Sequence, residues 1–298
     1  MPVLKIGSRG SDLALWQARH IAARLSSLGI ETSIQVIKTT GDHLQTASLV
    51  QAGGKGLFTK EIEEALLNGT VDLAVHSLKD LPTENTPGLV IAAIPEREDP
   101  RDALLGAKLE DLAWGARVGT SSGRRVAQLR LLRPDLRIDP IRGNVDTRIR
   151  KLKEGQYDAI TLAVAGLRRL GLDHEIAQIF TPLEMCPAPG QGALAVQTRE
   201  QGDAAEICSR LNHEPTAEAV NCERAVLSAL GGGCQLPVGV FAKPVDAETM
   251  DVLAVVVSHE GRSLRKHRQG PRRHAEELGR AVAESLLHEG AAELLTVP

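Results

Sequence analysis

The sequence predicts an α/β protein of two lobes followed by a small α+β domain with a three-stranded sheet. Three observations carry that prediction. Short apolar runs such as Leu73-Ala74-Val75 and Leu89–Ile94 alternate with helical patterns through the first two thirds of the chain, as in layered α/β folds. Proline-rich crossings at Pro95–Pro100 and Pro187-Ala188-Pro189-Gly190 interrupt the alternation. The tail then changes order to helix, three strands and helix.

The elements follow in chain order. Leu4-Lys5-Ile6 reads as a short strand ended by Gly7. Ser11 or Asp12 caps a helix whose apolar stripe is Ala14, Ala18, Ile21, Leu25 and Leu28, and Gly29 stops it. Ile34 and Val36 alternate as a second strand, and Glu61, Ile62, Ala65 and Leu66 mark a helix ending at Asn68-Gly69. Leu73–Val75 and Leu89–Ile94 are buried strands. Strand–turn–helix units are predicted at Arg117-Val118, Leu136–Ile141 and Asp158–Val164, around mainly parallel sheets. In the tail, a helix over Thr216–Leu230 precedes strands at Val238–Ala242, Asp251–Val257 and Ser263–His267. A closing helix, Arg273–His288, carries apolar residues at Leu278, Val282 and Leu286.

Bulk properties exclude several classes. A net charge of −3 over 298 residues gives no general attraction to nucleic acid or anionic membrane, so anion binding requires local clustering of cations. No apolar run is long enough to span a bilayer and no secretory segment opens the chain, so a cytoplasmic protein is expected. The four cysteines form no C-x-x-C pair and the nine histidines no H-E-x-x-H, so neither a metal site nor a disulfide framework is expected. Only 2% of residues are aromatic, and the basic tract Arg262–Arg273 has no aromatics between its charges, which argues against base stacking on nucleic acid. Gly53-Gly54-Lys55-Gly56-Leu57 is not a Walker A sequence, since no Ser or Thr follows the lysine. It reads as a loop that places Lys55 near a cleft mouth.

Cys234 differs from Cys208 and Cys222, which sit on periodic apolar elements. It follows Gly231-Gly232-Gly233 and precedes Gln235-Leu236-Pro237, a stretch that admits positive φ and close approach of a ligand. The basic residues also form a pattern, clustering in loops just after predicted strands: Arg9, Lys79, Arg124 with Arg125, and Arg142 with Arg148 one turn further on. Such loops lie at the carboxyl ends of strands, where open α/β sheets bind ligands. Thr120-Ser121-Ser122, before a helix, adds hydroxyls and backbone N–H donors for an anion. Any one of these arginines reads best as a solvated surface charge. Together they point to a polyanion, whose carboxylates the guanidinium fork matches. Asp80, beside Lys79, is either an ion-pair partner or a group that stabilises a cation developing on a substrate.

Ser8-Arg9-Gly10-Ser11-Asp12-Leu13-Ala14-Leu15-Trp16-Gln17, Gly53-Gly54-Lys55-Gly56-Leu57-Phe58, His76-Ser77-Leu78-Lys79-Asp80, Glu96-Arg97-Glu98-Asp99-Pro100-Arg101-Asp102, Gly119-Thr120-Ser121-Ser122, Arg142-Gly143-Asn144 and Gly232-Gly233-Cys234-Gln235 occur in the order found in one family. The chain closely resembles porphobilinogen deaminases (hydroxymethylbilane synthases) from about Ile6 to the last helix. It departs from the usual family pattern at Asp12 and Gly123, where the family has Pro and Leu.

The resemblance implies a transferase that joins four porphobilinogen molecules head to tail into hydroxymethylbilane, releasing ammonia each time. It implies a dipyrromethane primer held by a thioether to Cys234. Lys79, Ser11, Thr120, Ser122, Arg124, Arg125, Arg148 and Asp42 match primer-binding positions. Arg9, Arg142, Arg169, Gln191 and Lys55 match positions that take substrate or the lengthening chain, and Asp80 matches the catalytic aspartate. The implied fold has two periplasmic-binding-protein-like lobes, 1–97 with 193–210 and 98–192, and a third domain, 211–298. A monomer is expected. Two other classes compete: a two-lobed anion-binding module, which needs neither Cys234 nor Asp80, and a cysteine acyl-transferase, which needs a histidine base that no motif supplies.

Overall fold

The computed structural model describes residues 3–39, 59–232, 236–258 and 261–295. The chain divides into two units, Met1–Arg97 with Ala193–Ala217, and Glu98–Gly192 with Glu218–Pro298. The first unit opens with β1 (Leu4–Ser8), β2 (Thr32–Val36), β3 (Leu73–Ser77) and β4 (Leu89–Ala93). The second contributes β5 (Asp102–Leu105), β6 (Arg117–Gly119), β7 (Arg137–Asp139), β8 (Ala159–Ala163) and β9 (Ile176–Ile179). The chain returns to the first unit as β10 (Leu194–Arg199), and the second unit closes with β11 (Val238–Pro244), β12 (Thr249–Val257) and β13 (Ser263–Pro271).

The first sheet has the order β2-β1-β3-β10-β4. Helix Asp12–Ser26 buries Ala18, Ile21 and Leu25 against Ile6, Leu73, Val75 and Val196 on one face. Helix Lys60–Leu67 buries Ile62, Ala65 and Leu66 against Ala74 and Leu89 on the other. Because both faces of β3 are covered, its first three residues, Leu73-Ala74-Val75, form an apolar run rather than an alternation. Of the two candidate caps of the first long helix, Ser11 is the cap. It is extended at φ −72° and ψ 149° and accepts from the Ala14 N–H, while Asp12 lies in the first turn.

The second sheet has the order β7-β6-β8-β5-β9. Neither five-stranded sheet is mainly parallel. In the first, β1 runs parallel to β2 and β3, but β10 is antiparallel to β3 and β4. In the second, β6 runs parallel to β7 and β8, and β5 is antiparallel to β8 and β9. The reason is the connection. A parallel neighbour requires a crossover, usually a helix, whereas β5 and β10 each follow a crossing segment without a helix.

The third sheet, β11-β12-β13, is antiparallel throughout. Met250, Val252, Ala254 and Val256 of β12 face a core with Cys222 and Val226 of helix Glu214–Ala229 and Leu278, Val282 and Leu286 of helix Ala275–His288. Leu253, Val255 and Val257 face the other way, onto Ala127 and Cys186. The central strand is thus buried on both sides, which accounts for its unbroken apolar stretch. Glu223, fully buried, accepts from the N–H groups of Gly190 (2.7 Å) and Ala242 (2.8 Å), tying the proline crossing to β11. The basic tract lies largely on β13, a charged edge that disfavours further strand pairing. Among the described residues, no helix is long and apolar enough to cross a membrane, and no cluster of His, Cys, Asp and Glu is placed to hold a metal ion.

Candidate functional site

Asp80 owes its position to the residue two before it. Leu78, fully buried, donates its N–H to Ala193 O (3.0 Å) and starts one 3-10 turn, Leu78–Asp80, directly after β3. Burying that leucine contributes about 1.5–3 kcal/mol, enough to fix the turn that presents Lys79 and Asp80. Asp80 is exposed and Lys79 half-buried. Asp80 shares a cavity of about 80 Å³ with Arg9, Ser11, Gln17, Thr59, His76 and Ser77. Among its described lining residues, Asp80 is the one acid and Arg9 the one guanidinium. The side chain of Gln17 reaches from the first helix to the end of β3, its Nε2 donating to Ser77 Oγ at 2.9 Å.

The second unit holds most of the predicted arginines. Ser122 caps helix Gly123–Leu132, its hydroxyl accepting from the Arg125 N–H, and Ser121 Oγ donates to Ile141 O at 2.7 Å. Those bonds bring the Thr120-Ser121-Ser122 loop to the start of the Arg142 loop. Arg124 and Arg125 are 4% and 6% exposed and both pair with the fully buried Asp102, each with a closest approach of 2.7 Å. Gln191, fully buried, donates Nε2 to Pro100 O (2.6 Å) and to Asp102 Oδ1 (3.0 Å). Burial acts most strongly on Asp102, raising its pKa. The charges of Arg124 and Arg125, with hydrogen bonds from Arg124 and Gln191, outweigh it and hold the carboxyl well below the usual range.

One carboxylate therefore faces two guanidiniums, and a third cation lies close by. Arg148 donates Nε to Gly143 O at 2.8 Å and has no carboxylate partner among the described residues. Desolvation, then the like charges of Arg125 and Arg142, lower its pKa to about 10, still fully charged at neutral pH. Burial likewise lowers Arg169 to about 10, with Glu98 opposing, and its guanidinium donates to Gly192 O at 2.6 Å. The surplus of positive charge around Arg148 fits a ligand bearing several carboxylates, such as a dipyrromethane with acidic arms.

Asp42, Lys55 and Cys234 lie outside the described residues. The approach to Cys234 is described as far as Gly232: Gly231 and Gly232 have φ of 103° and 54°, the conformation for which glycine is suited. Cys186, Cys208 and Cys222 are fully buried thiols. Burial first of all pushes Cys208 and Cys222 up to about 12, and Cys186 higher still, which keeps them unreactive.

No sequence motif assigns Asp102 a role, although an acid opening the buried run Asp102-Ala103-Leu104-Leu105 is a signal that it is paired. Thr59 and the His76–Gln197–Glu63 network are likewise marked by no motif. Gln197 lies 121 residues beyond His76, and no local pattern joins them.

Residues 4–207 match the family model described as porphobilinogen deaminase, dipyromethane cofactor binding domain. Residues 217–288 match the porphobilinogen deaminase C-terminal domain. A porphobilinogen deaminase of Syntrophomonas wolfei is 48% identical over 301 residues, covering 98% of this chain and 97% of the relative. One from Thermus thermophilus is 48% identical over 302 residues, covering 99% of each. Among solved structures, the periplasmic VFT2 domain of Bordetella pertussis BvgS is 14% identical, with a TM-score of 0.41 over 70% of this chain and 86% of that one. The chain belongs to the porphobilinogen deaminase family. It is a transferase of tetrapyrrole biosynthesis.

Proposed function

We propose that this enzyme condenses four porphobilinogen molecules head to tail, with release of ammonia, to give hydroxymethylbilane. The observation that carries the reading is that one exposed carboxylate, Asp80, and one guanidinium, Arg9, line a single cavity. When ammonia leaves the substrate, its C–N electron pair departs on nitrogen and a cation remains on the pyrrole methylene. Asp80 stabilises that cation and accepts from pyrrole N–H groups. Arg9 takes an acidic arm of the substrate, as do Arg142 and Arg169.

The primer is a dipyrromethane joined by a thioether to Cys234, and when bound it supplies the pyrrole carbon to which the first substrate is added. Arg148 takes its carboxylates, and Arg124 and Arg125 supply further positive charge. Ser11, Lys79, Thr120, Ser122 and Asp42 complete the primer contacts, while Lys55 and Gln191 serve substrate. We read the C-terminal elements as a third domain, 211–298, beside 1–97 with 193–210 and 98–192, in a cytoplasmic monomer.

Incubation with porphobilinogen should yield a linear tetrapyrrole and ammonia, and failure to do so overturns the reading. The intact mass should exceed that of the polypeptide by two pyrrole units, and Cys234→Ser should abolish the increment. A bare polypeptide mass, in protein made with porphobilinogen present, would overturn the thioether.

A further inference from the structure

The cavity of the first unit is graded in polarity. Asp80 is exposed and Arg9 half-buried, whereas the uncharged groups Gln17 (3% exposed), Thr59 (2%) and His76 (6%) lie at its buried side. Gln17 is engaged with Ser77, but the other two have hydrogen-bonding capacity left.

For His76 this follows from a chain of obligatory roles. The Glu63 carboxylate can only accept, and it does so from Gln197 Nε2 (2.9 Å) and Thr86 Oγ1 (3.0 Å). The Gln197 amide is thereby oriented with its oxygen toward His76 Nε2, 3.1 Å away. That oxygen cannot donate, so Nε2 carries the hydrogen, and in the neutral ring Nδ1 is a bare acceptor. Burial, with the charge of Arg9, keeps the ring neutral against the opposing Gln197 bond, its pKa lowered to about 4. Among the described residues, the charged groups around the ring are Arg9 and Asp80 in the cavity and Glu63 behind Gln197. Thr59 precedes helix Lys60–Leu67 without capping it, and its buried Oγ1 has no hydrogen-bond partner among the described residues.

Resting on the function proposed above, we propose that His76 Nδ1 and Thr59 Oγ1 are neutral acceptors for the aminomethyl nitrogen of porphobilinogen and position it for departure. As the C–N bond breaks, positive charge moves from nitrogen to the ring methylene while the electron pair leaves with ammonia. A carboxylate at the nitrogen would hold the ammonium and oppose that movement. Uncharged acceptors hold its N–H groups before and after cleavage, while Asp80 favours the charge on the ring side. At about 80 Å³ the cavity has room for a few waters or a small polar group such as an aminomethyl arm.

The test uses primer-loaded enzyme and an inhibitor in which a methyl group replaces the substrate's aminomethyl arm. Thr59→Val removes a hydroxyl with no partner among the described residues, so thermal stability should not fall, while kcat/KM for porphobilinogen drops about 10- to 100-fold. His76→Gln should lose a similar factor. Both variants should bind the methyl analogue as the wild type does, since it lacks the group these residues contact. In the resting protein at pH 7, nitrogen NMR should find His76 neutral with hydrogen on Nε2. Turnover that both variants leave intact, analogue binding weakened as much as turnover, or an imidazolium at pH 7 would overturn the inference while leaving the function standing. A wild-type enzyme that makes no tetrapyrrole would overturn both.

Discussion

The carboxylate of Asp102 lies 2.7 Å from the guanidinium of Arg124, with 0% and 5% of the two side chains exposed. Arg125 reaches the same carboxylate. A buried cluster of this kind depends on its anion, because removing it strands two desolvated cations. Asp102→Asn is therefore expected to cost about 3–5 kcal/mol of folding stability, read from urea unfolding. A loss below about 1 kcal/mol would mean that water already reaches the pair.

Arg148 has the opposite balance. It is repelled by Arg125 and Arg142 and has no carboxylate partner among the described residues. Arg148→Ala should leave the thermal midpoint unchanged or raise it, while weakening retention of the acidic primer and elongation. A lower midpoint with normal product formation would assign Arg148 to the fold instead.

Asp80 is exposed and follows a buried anchor, Leu78, so its substitution should spare folding. Asp80→Asn is expected to lower turnover about 100- to 1000-fold, or roughly 3–4 kcal/mol, with the primer mass still present. Near-normal turnover would reduce Asp80 to an ion-pair residue.

His76 gives the fold a pH dependence of known sign. Its folded pKa is about 4 against 6.5 for the free side chain. Between those values the unfolded chain binds a proton that the folded chain does not, so stability is complete above pH 6.5 and declines as pH falls toward 4. At 1.36 kcal/mol per unit, the decline is about 3 kcal/mol. His76→Gln should be less sensitive by that amount in unfolding measurements across this window, and parallel curves would contradict the assignment.

Gly239 on β11 packs against the chain at Cys186, where a Cβ would stand 2.6 Å from Cys186 O and 2.7 Å from its Cβ. Two of the three nearest atoms, O and C of Cys186, are backbone, which leaves little room to relax. Gly239→Ala should destabilise the protein by about 1–3 kcal/mol in chemical denaturation. An unchanged midpoint would show that β11 shifts freely.

Much of this architecture is legible in local pattern. Helix Asp12–Ser26 appears through its Ser11 cap and its stripe at Ala18, Ile21 and Leu25. Helix Ala275–His288 appears through Leu278, Val282 and Leu286, and is preceded by a 3-10 turn, Arg272–His274, that the pattern merges with it. Less legible is whatever depends on the partner chosen. β5 and β9 are short and have no alternation, and the antiparallel sense of β10 depends on where the crossing delivers it. The charged residues of the site are legible because cations after strands form a pattern. Thr59 and Gln197 are not, because a hydroxyl with no partner among the described residues and a hydrogen bond across 121 residues leave no mark on neighbouring positions.

β10 sits between β3 and β4, and the two do not pair with each other. During synthesis, the ribosome makes both strands more than a hundred residues before the segment Leu194–Arg199 that joins them. The first sheet therefore stays open until the chain of the second, β5 to β9, has already emerged. A translation product halted after Arg97 would display two unsatisfied strand edges, a target for chaperones and proteases rather than a free-standing half of the enzyme.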